Sequence, residues 1–469
     1  MLGRVFKAYD IRGTYPDLLT DAMAYQIGAG AGRFLLDDAA SAGETTPMMR
    51  NVVVGRDMRK SSPKLSSQLI KGLRGSGASV IDVGLVDTPF IYFAVNHLDC
   101  AGGVMVTASH NPPQYNGFKI STRKAKPVGE ATGLAEVRKH AAMADSAKLT
   151  PGDTSVEERD LWDAYIDHVR SFIDLRSRPI KLVVDASNGM AGTMVPKVFG
   201  ERGSAIEGLE IIELNFDNTK GEFVHEPNPL VASNLDQLRN TVVQKNADLG
   251  ICFDGDADRC VVVDEKGRIV GCDHLTGLLA RHFLAKNPGS PIVYDLRSTK
   301  AVAEEIEDAG GEPIRSRVGH VFMKQVMAEK GCAFGGELSG HFYFADNFNA
   351  DSGAIAMATV LSVLAERRRK MSTLIKPIAR YVQSGEINFE NEEADDTLEL
   401  LKDDYASKGK IDELDGVTID CFSRDGWWVN IRKSNTEPLL RLNAEAKDKE
   451  TLQKVLGKFA PRMGRRVDH

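Results

Sequence analysis

A serine and a histidine lie between an apolar run and a pair of prolines, a setting in which a hydroxyl could do chemistry. In VTASHNPPQYNGFKI, residues 106–120, Ser109 and His110 come shortly before that pair. Because Pro112 and Pro113 oppose a helix here, we predict that Ser109 lies on a stiff loop at the carboxyl end of a strand. Ligands bind at that edge of open α/β sheets, so Ser109 is a candidate reactive hydroxyl. A Ser-His-Asn turn is the structural alternative, and a hydrolase nucleophile elbow is weaker because it needs a helix directly after the serine.

Three aspartates alternate with small residues in the motif DGDADR. Asp254, Asp256 and Asp258 follow one apolar run and precede another, so their carboxylates can converge on a hard cation with oxygen ligands. Mg²⁺ is the predicted ion. A calcium EF-hand is a weaker interpretation: Glu265 falls at the twelfth position, but Arg259 occupies the sixth, where that loop requires glycine. A solvated acidic turn is the structural alternative.

Two further motifs carry residues suited to sugars and phosphates. In GGELSGH, residues 335–341, Glu337 can accept hydrogen bonds from two neighbouring sugar hydroxyls, with Ser339 close by in sequence. In RKSNTEP, an arginine, two hydroxyls and an amide form a candidate phosphate cradle: Arg432, Ser434, Asn435 and Thr436. A glycine-rich turn and a polar turn are the structural alternatives.

Short β-branched runs alternate with helical patterns and must position these motifs. The predicted strands are residues 51–55, 78–83, 103–107, 180–185, 209–213, 247–253 and 291–295. This order predicts three consecutive α/β domains of similar topology. After about residue 380 an acidic patch, a helix and strands around residues 427–431 predict a smaller α+β domain. We therefore predict domains at 1–150, 151–267, 268–376 and 377–469.

The run GAGAG at residues 28–32 faintly resembles a dinucleotide-binding loop. Arg33 stands where the third glycine should be and no strand precedes the run, so we predict a helix whose small residues face a neighbour.

Composition limits the classes of function. The 469 residues, with 42% hydrophobic and 27% charged, are typical of a globular chain of three or four domains. A net charge of −7 argues against nucleic acid as a partner. The six cysteines form no C-x-x-C pair and are expected to be free thiols. No apolar run approaches ~20 residues, so we expect a cytoplasmic protein without membrane contact, either a monomer or a homodimer.

Taken in order, the motifs resemble the α-D-phosphohexomutases, and in particular their phosphomannomutase/phosphoglucomutase branch. The resemblance runs from FKAYDIRG at residues 6–13 to RKSNTEP at 432–438. It includes VGRD at 54–57, HEPNP at 225–229 and VGH at 318–320. It implies three α/β domains and a C-terminal domain resembling the TATA-binding-protein fold, set around a central cleft.

The same resemblance implies roles for the residues. Ser109 would carry a phosphoryl group, and Asp254, Asp256 and Asp258 would bind one Mg²⁺ that also touches it. Lys119 matches the family's proposed general base, for which its pKa would have to be lowered by its surroundings; His110 and Arg12 are the other candidates for proton transfer and charge. The residues expected to contact substrate are Tyr9, Arg259, Arg297, Gly319, His320, Glu337, Ser339, Arg432, Ser434, Asn435 and Thr436.

The implied reaction interconverts hexose 1-phosphate and hexose 6-phosphate. A bound hexose 1,6-bisphosphate intermediate would turn over within the site, and glucose 1,6-bisphosphate would act as activator. Leu338 stands where the mannose/glucose branch usually has Met and where amino-sugar branches have a polar residue, which favours glucose and mannose phosphates. A phosphoglucosamine mutase and a serine-dependent sugar phosphatase are the alternatives.

Overall fold

The fold is described from a computed structural model. It covers residues 2–43, 46–144, 154–175, 178–200, 205–434 and 439–467. The chain forms two compact units, Met1–Cys272 with Ser339–Ser372 and Asp273–Leu338 with Thr373–His469. Within the part of the chain described, no helix has the length and hydropathy needed to cross a membrane. The predicted joint near residue 150 lies outside the described residues.

Strands are numbered in chain order. They are β1 Ile11–Thr14, β2 Asn51–Arg56, β3 Ser79–Leu85, β4 Gly102–Val106, β5 Tyr115–Thr122, β6 Val156–Glu158, β7 Ile180–Asp185, β8 Leu209–Leu214, β9 Leu249–Phe253, β10 Cys260–Asp264, β11 Pro291–Asp295, β12 Glu312–Ser316, β13 Phe334–Gly336, β14 Phe342–Phe344, β15 Ala350–Asp351, β16 Val382–Glu390, β17 Lys410–Asp412, β18 Val417–Asp420, β19 Trp427–Lys433, β20 Leu439–Ala446 and β21 Arg465–Val467.

The α-helices are numbered in the same way. They are α1 Asp21–Ser41, α2 Ser62–Gly75, α3 Thr88–Leu98, α4 Leu134–Met143, α5 Trp162–Arg170, α6 Ala191–Val198, α7 Asp236–Lys245, α8 Cys272–Lys286, α9 Lys300–Asp308, α10 His320–Lys330, α11 Gly353–Arg367, α12 Met371–Ile375, α13 Ala394–Tyr405, α14 Phe422–Asp425 and α15 Lys449–Phe459.

The first unit contains two mixed sheets that follow the same plan. One has the strand order β1-β5-β4-β2-β3-β6 and the other β10-β9-β7-β8. In each, a set of parallel strands is joined on one side by an antiparallel neighbour, β5 beside β4 and β10 beside β9. Buried valines recur on β2, β4, β7 and β10, as expected for β-branched side chains on strands covered by helices. The loops from β4 to β5 and from β9 to β10 therefore occupy corresponding positions.

Helices α1 and α2 pack at very close range through glycines. A Cβ atom on Gly28 would lie 2.1 Å from the carbonyl oxygen of Leu69, and one on Gly72 would lie 2.0 Å from that of Tyr25. The prediction that the GAGAG run forms a helix with small residues facing a neighbour is confirmed. The six cysteines are free and buried, as expected.

The second unit contains a parallel set and an antiparallel sheet. Strands β12, β11 and β13 are parallel neighbours. The other sheet has the order β17-β18-β19-β20-β16-β21, with antiparallel neighbours throughout. Helices α13 and α15 cover it with buried leucines and Phe459. The predicted succession of α/β folds followed by an α+β fold is confirmed.

Candidate active site

Ser109 lies on the loop between β4 and β5, as the sequence predicts. Its backbone has φ of 51°, in the left-handed region that residues other than glycine rarely adopt. Its amide donates to Thr107 Oγ1 at 2.9 Å. Its buried Oγ donates to Asp254 Oδ2 at 2.8 Å and lies 3.3 Å from His110 Nδ1. The hydroxyl therefore points at the aspartate motif.

Arg59 holds this loop in place and was not predicted from the sequence. The guanidinium is buried against Asp57, with Nε 3.1 Å from Asp57 Oδ2. It donates to the carbonyl oxygens of four loop residues at 2.7 to 3.0 Å: Ser109, Asn111, Pro112 and Tyr115. The one available signal was its place two residues after the matched VGRD motif. Arg59 therefore determines where the Ser109 backbone lies.

The three aspartates of DGDADR converge, as predicted. One carboxylate oxygen from each of Asp254, Asp256 and Asp258 lies within 4.8 Å of the others, and all three residues are buried. Asp256 is oriented by the start of α3, where Thr88 Oγ1 donates to Asp256 Oδ2 at 2.6 Å. Burial and the neighbouring carboxylates raise the pKa of Asp254 well above its usual range.

A divalent cation fits these carboxylates. Oδ1 of Asp256 is buried without a hydrogen-bond partner among the described residues, although buried carboxylate oxygens are normally paired. Three converging carboxylates also repel one another, and a bound cation relieves that repulsion. An oxygen-ligand set of this kind suits Mg²⁺, so Asp254, Asp256 and Asp258 are the residues that would hold it.

Lys119 lies against the same carboxylates. Its Nζ donates to Asp256 Oδ2 at 2.7 Å and to Asp258 Oδ2 at 2.6 Å. Although burial opposes the charged form, Asp256 and Asp258 raise the pKa of Lys119 well above its usual range. The lowered pKa that a general base would need is therefore not found in this arrangement, because the two ion pairs outweigh burial.

Three more predicted residues surround the Ser109 loop. Arg12, on β1, donates to Asn111 Oδ1 and pairs with Asp10. The backbone N–H of Arg259 donates to Asp254 Oδ1 at 3.2 Å, and its Nε lies 3.8 Å from Asp254 Oδ2. Burial lowers the pKa of His110 well below its usual range, and Arg259 and Arg12 act in the same direction. The loop is thus lined by two cations and a neutral imidazole.

His341 also lies against the aspartate motif and was not predicted from the sequence. Its Nε2 lies 3.3 Å from Asp258 Oδ1 and 3.9 Å from Asp351 Oδ2, while its Nδ1 is 2.8 Å from Ser339 Oγ. Its signal in the sequence was its place at the end of GGELSGH. Ser339, the predicted sugar contact, is therefore hydrogen-bonded to the His341 imidazole, which faces the aspartate motif.

The second unit brings three arginines together around one carboxylate. Glu386 Oε2 accepts from Arg432 Nη2 at 2.7 Å and lies 3.5 Å from Arg297 Nη1. Glu386 Oε1 accepts from Arg441 Nη1 at 3.2 Å, and Arg441 Nη2 donates to Ser434 Oγ at 3.2 Å. Although burial opposes it, the arginines lower the pKa of Glu386. Because Arg297 also pairs with Asp295, through Nε at 3.2 Å and Nη2 at 2.9 Å, the cluster has an excess of one positive charge, which suits an anion such as a phosphate.

Sequence reasoning missed Arg441 and Glu386 in this cluster. Arg441 is the cross-strand partner of Arg432 in the β19–β20 pair. The signal available in the sequence was a second arginine three residues after the RKSNTEP motif. Asn435 and Thr436, predicted for the same cradle, lie outside the described residues.

Glu337 lies beside the start of α10. Its Oε1 accepts from the backbone N–H of Gly319 at 3.0 Å. Gly319 has φ of 127° and directly precedes His320, the first residue of that helix. The predicted contacts Glu337, Gly319 and His320 are therefore neighbours. Tyr9 lies in the bend before β1.

Comparison with known proteins agrees with this arrangement. The chain matches four domain families described as phosphoglucomutase/phosphomannomutase. They are alpha/beta/alpha domain I over residues 3–148, domain II over 163–267, domain III over 272–381 and the C-terminal domain over 386–461.

Full-length relatives are also similar. A protein named "Phosphohexose mutases" from Xanthomonas campestris pv. campestris is 39% identical over 94% of this chain and 95% of its own. The phosphomannomutase/phosphoglucomutase of Pseudomonas aeruginosa is 36% identical over 96% and 93%. The crystal structure of a phosphoglucomutase/phosphomannomutase family protein from Burkholderia thailandensis superimposes with a TM-score of 0.86 at 33% identity, covering 98% of this chain and 96% of that one. The chain therefore belongs to the phosphoglucomutase/phosphomannomutase family.

Proposed function

We propose that this phosphohexomutase interconverts hexose 1-phosphate and hexose 6-phosphate, with mannose and glucose as the hexoses, through a phosphorylated Ser109. The observation that carries the proposal is the buried Ser109 hydroxyl, 2.8 Å from one of three converging carboxylates. A serine that only filled a turn would not need this partner. The amino-sugar alternative has no better support from the relatives, and Leu338 also disfavours it.

In the first half-reaction, the bond from phosphorus to Ser109 Oγ breaks. A bond from phosphorus to the free sugar hydroxyl forms, and that hydroxyl loses its proton. Mg²⁺ bound to Asp254, Asp256 and Asp258 would neutralise charge during the transfer. Arg12, Arg259 and Lys119 supply further positive charge. His110 is the proposed proton acceptor, and Lys119 would accept a proton only where its ion pairs with Asp256 and Asp258 are broken.

The second half-reaction returns the other phosphate of the hexose 1,6-bisphosphate to Ser109. For this, the phosphate that is not reacting must be held elsewhere. We assign that role to Arg297 and Arg432, two of the three arginines around Glu386 (the arginine cluster), together with Ser434, Asn435 and Thr436. Glu337 and Ser339 would form hydrogen bonds with sugar hydroxyls. The other proposed substrate contacts are Tyr9, Gly319 and His320. Glucose 1,6-bisphosphate would restore a dephosphorylated Ser109, and so act as activator.

The test is a coupled assay of glucose 1-phosphate and mannose 1-phosphate conversion with glucose 1,6-bisphosphate added. We expect Ser109→Ala to lose at least about 10³-fold in kcat. Mass spectrometry of the wild-type protein should place a phosphoryl group on Ser109. Undiminished turnover by Ser109→Ala would refute the phosphoserine route.

A second variant separates the mutase from the sugar phosphatase. Arg432→Ala removes a cation of the arginine cluster, so we expect mutase kcat/KM to fall about 10²-fold. Release of inorganic phosphate from hexose 1-phosphate by the wild-type protein, unaffected by Arg432→Ala, would favour the phosphatase instead. Glucosamine 1-phosphate, assayed alongside, tests the amino-sugar alternative.

A further inference from the structure

A loop segment of the first unit contacts Arg59, which holds the Ser109 loop, and the residues at the end of β7, which support the aspartate motif. This bridging segment, residues 220–228, has the sequence KGEFVHEPN and includes most of the HEPNP motif. The proposed mechanism assigns it no role. Its contacts divide into two groups, one on each side.

On one side, the bridging segment packs on Arg59 and its neighbours. The Phe223 ring centre lies 5.2 Å from the guanidinium carbon of Arg59, within range of a cation–π interaction. Lys60 Nζ donates to Glu222. A Cβ atom on Gly221 would lie 2.9 Å from the Met58 carbonyl oxygen, so the two backbones touch. Arg59 in turn holds the Ser109 loop through its carbonyl groups.

On the other side, the segment is bonded to the residues after β7. The backbone N–H of Val224 donates to Asn188 Oδ1 at 3.0 Å. His225 Nε2 lies 3.2 Å from Asp185 Oδ2. Asp185 Oδ1 also accepts from the backbone N–H of Ser187 at 2.9 Å. The bridging segment therefore contacts the carboxyl end of β7.

The residues after β7 support the aspartate motif directly. Ser187 Oγ donates to the carbonyl oxygen of Phe253 at 2.6 Å, and the Met190 N–H donates to that of Gly255 at 2.9 Å. A Cβ atom on Gly255 would lie 2.3 Å from the carbonyl oxygen of Ser109. The aspartate motif and the Ser109 loop are thus in backbone contact, and the bridging segment connects their two supports.

We propose that the bridging segment sets the position of Ser109 Oγ relative to the aspartate motif, with Phe223 acting through Arg59 and His225 through Asp185. Both are positioning residues, because neither touches the reacting atoms. The inference rests on the proposed function, in which a phosphoryl group on Ser109 must meet the charges on Asp254, Asp256 and Asp258. A misplacement of 1 Å in such a geometry can cost about 10²-fold in rate.

The experiment compares Phe223→Ala with Val224→Ala, because Val224 is 75% exposed. We expect Phe223→Ala to lower kcat about tenfold with KM for hexose 1-phosphate within about twofold. Val224→Ala should match the wild-type protein. Phe223→Tyr keeps the ring over Arg59 and should restore kcat to within about twofold of the wild-type value.

Hydrogen–deuterium exchange gives a readout that does not depend on the assigned reaction. Phe223→Ala should speed exchange in peptides covering residues 107–116, and Val224→Ala should not. Unchanged exchange in Phe223→Ala would overturn the inference even if the mutase activity is real. Faster exchange with unchanged kcat would overturn the positioning role, leaving only a structural one.

Two controls keep the result interpretable. If Phe223→Ala does not fold, Phe223→Leu keeps apolar volume without the ring and must show the same fall in kcat. If the wild-type protein converts no hexose phosphate, the proposed function fails, and the exchange data still decide whether the bridging segment positions the Ser109 loop.

Discussion

Two buried cations of the candidate site are compensated by carboxylates. Lys119 lies between Asp256 and Asp258, and Arg432 lies against Glu386. Removing such charges from water costs several kcal/mol per ion, and pairing in the interior often does no more than offset that cost. We infer that these pairs serve binding and charge placement rather than stability.

Glu445, in the second unit, is a buried acid outside these clusters. Its Oε1 accepts from Trp428 Nε1 and from the backbone N–H of Lys300, each at 2.9 Å. Its Oε2 is buried without a hydrogen-bond partner among the described residues. Burial raises the pKa of Glu445 to about 7, even though the hydrogen bonds it accepts act in the opposite direction.

This raised pKa predicts a pH-dependent stability. The folded protein binds the Glu445 proton more tightly than the unfolded chain, so stability is lost as pH rises from about 4.5 to about 7. Glu445→Gln keeps an oxygen for both donors and carries no charge. From pH 5 to pH 8, we expect the unfolding free energy of Glu445→Gln to rise relative to that of the wild-type protein by about 2–3 kcal/mol. Denaturant unfolding at both pH values measures this, and an equal difference at the two would contradict it.

At the scale of elements, the candidate residues lie on loops that join consecutive strands. The Ser109 loop joins β4 to β5, and the aspartate motif joins β9 to β10. In the chain, the Glu337 motif comes between β13 and β14, and Ser434 follows β19. A loop at a strand end is free of ladder hydrogen bonds, so its side chains and amides can serve a ligand. Repetition of one plan in the first unit thus supplies two of the candidate loops.

The close contact of α1 and α2 can be tested with a matched pair of glycine substitutions. In Gly28→Ala the new methyl group would collide with the Leu69 backbone, so we expect a loss of about 2 kcal/mol or more in unfolding free energy. Gly457, on α15, has no atom within 4 Å of an added Cβ. Gly457→Ala should therefore stabilise by about 0.5–1 kcal/mol through helix propensity. Thermal and denaturant unfolding of both variants would show this opposite sign, and a neutral Gly28→Ala would refute the tight packing.

At the scale of the whole molecule, the aspartate motif should couple metal binding to folding. Three carboxylates that are close only in the folded chain bind a cation better than the unfolded chain does. The folded state is then stabilised by about 2.7 kcal/mol at a Mg²⁺ concentration of 100 times Kd. The motif should therefore make the melting temperature depend on Mg²⁺.

The measurement is Tm with and without Mg²⁺ after treatment with a chelator. We expect Mg²⁺ to raise the Tm of the wild-type protein and to have a much smaller effect on Asp256→Asn, which loses one ligand charge. Asp17→Asn changes an exposed carboxylate of the same unit and should respond like the wild-type protein. An equal Mg²⁺ response in Asp256→Asn would argue against a metal site at this motif.

Sequence alone was sufficient for the features that depend on local pattern. Strands such as β7 and β11 were predicted at their observed bounds, because short β-branched runs end at Asp or Gly. Ser109 was predicted on a loop after a strand, because two prolines follow it. The three aspartates were predicted to converge, because alternation along one loop brings them to one side. The four domain boundaries stay a prediction.

Only the tertiary structure decided which distant residues meet. The contact of Arg59 with the carbonyl of Ser109, the pairing of Glu386 with Arg432 and the approach of His341 to Asp258 join residues 50, 46 and 83 positions apart. It also decided the direction of the pKa shift of Lys119, since that shift depends on two carboxylates reached through the fold. The local sequence pattern predicts strands, helices and turns. A pKa shift or a long-range contact depends on charges and burial that exist only once the chain has folded.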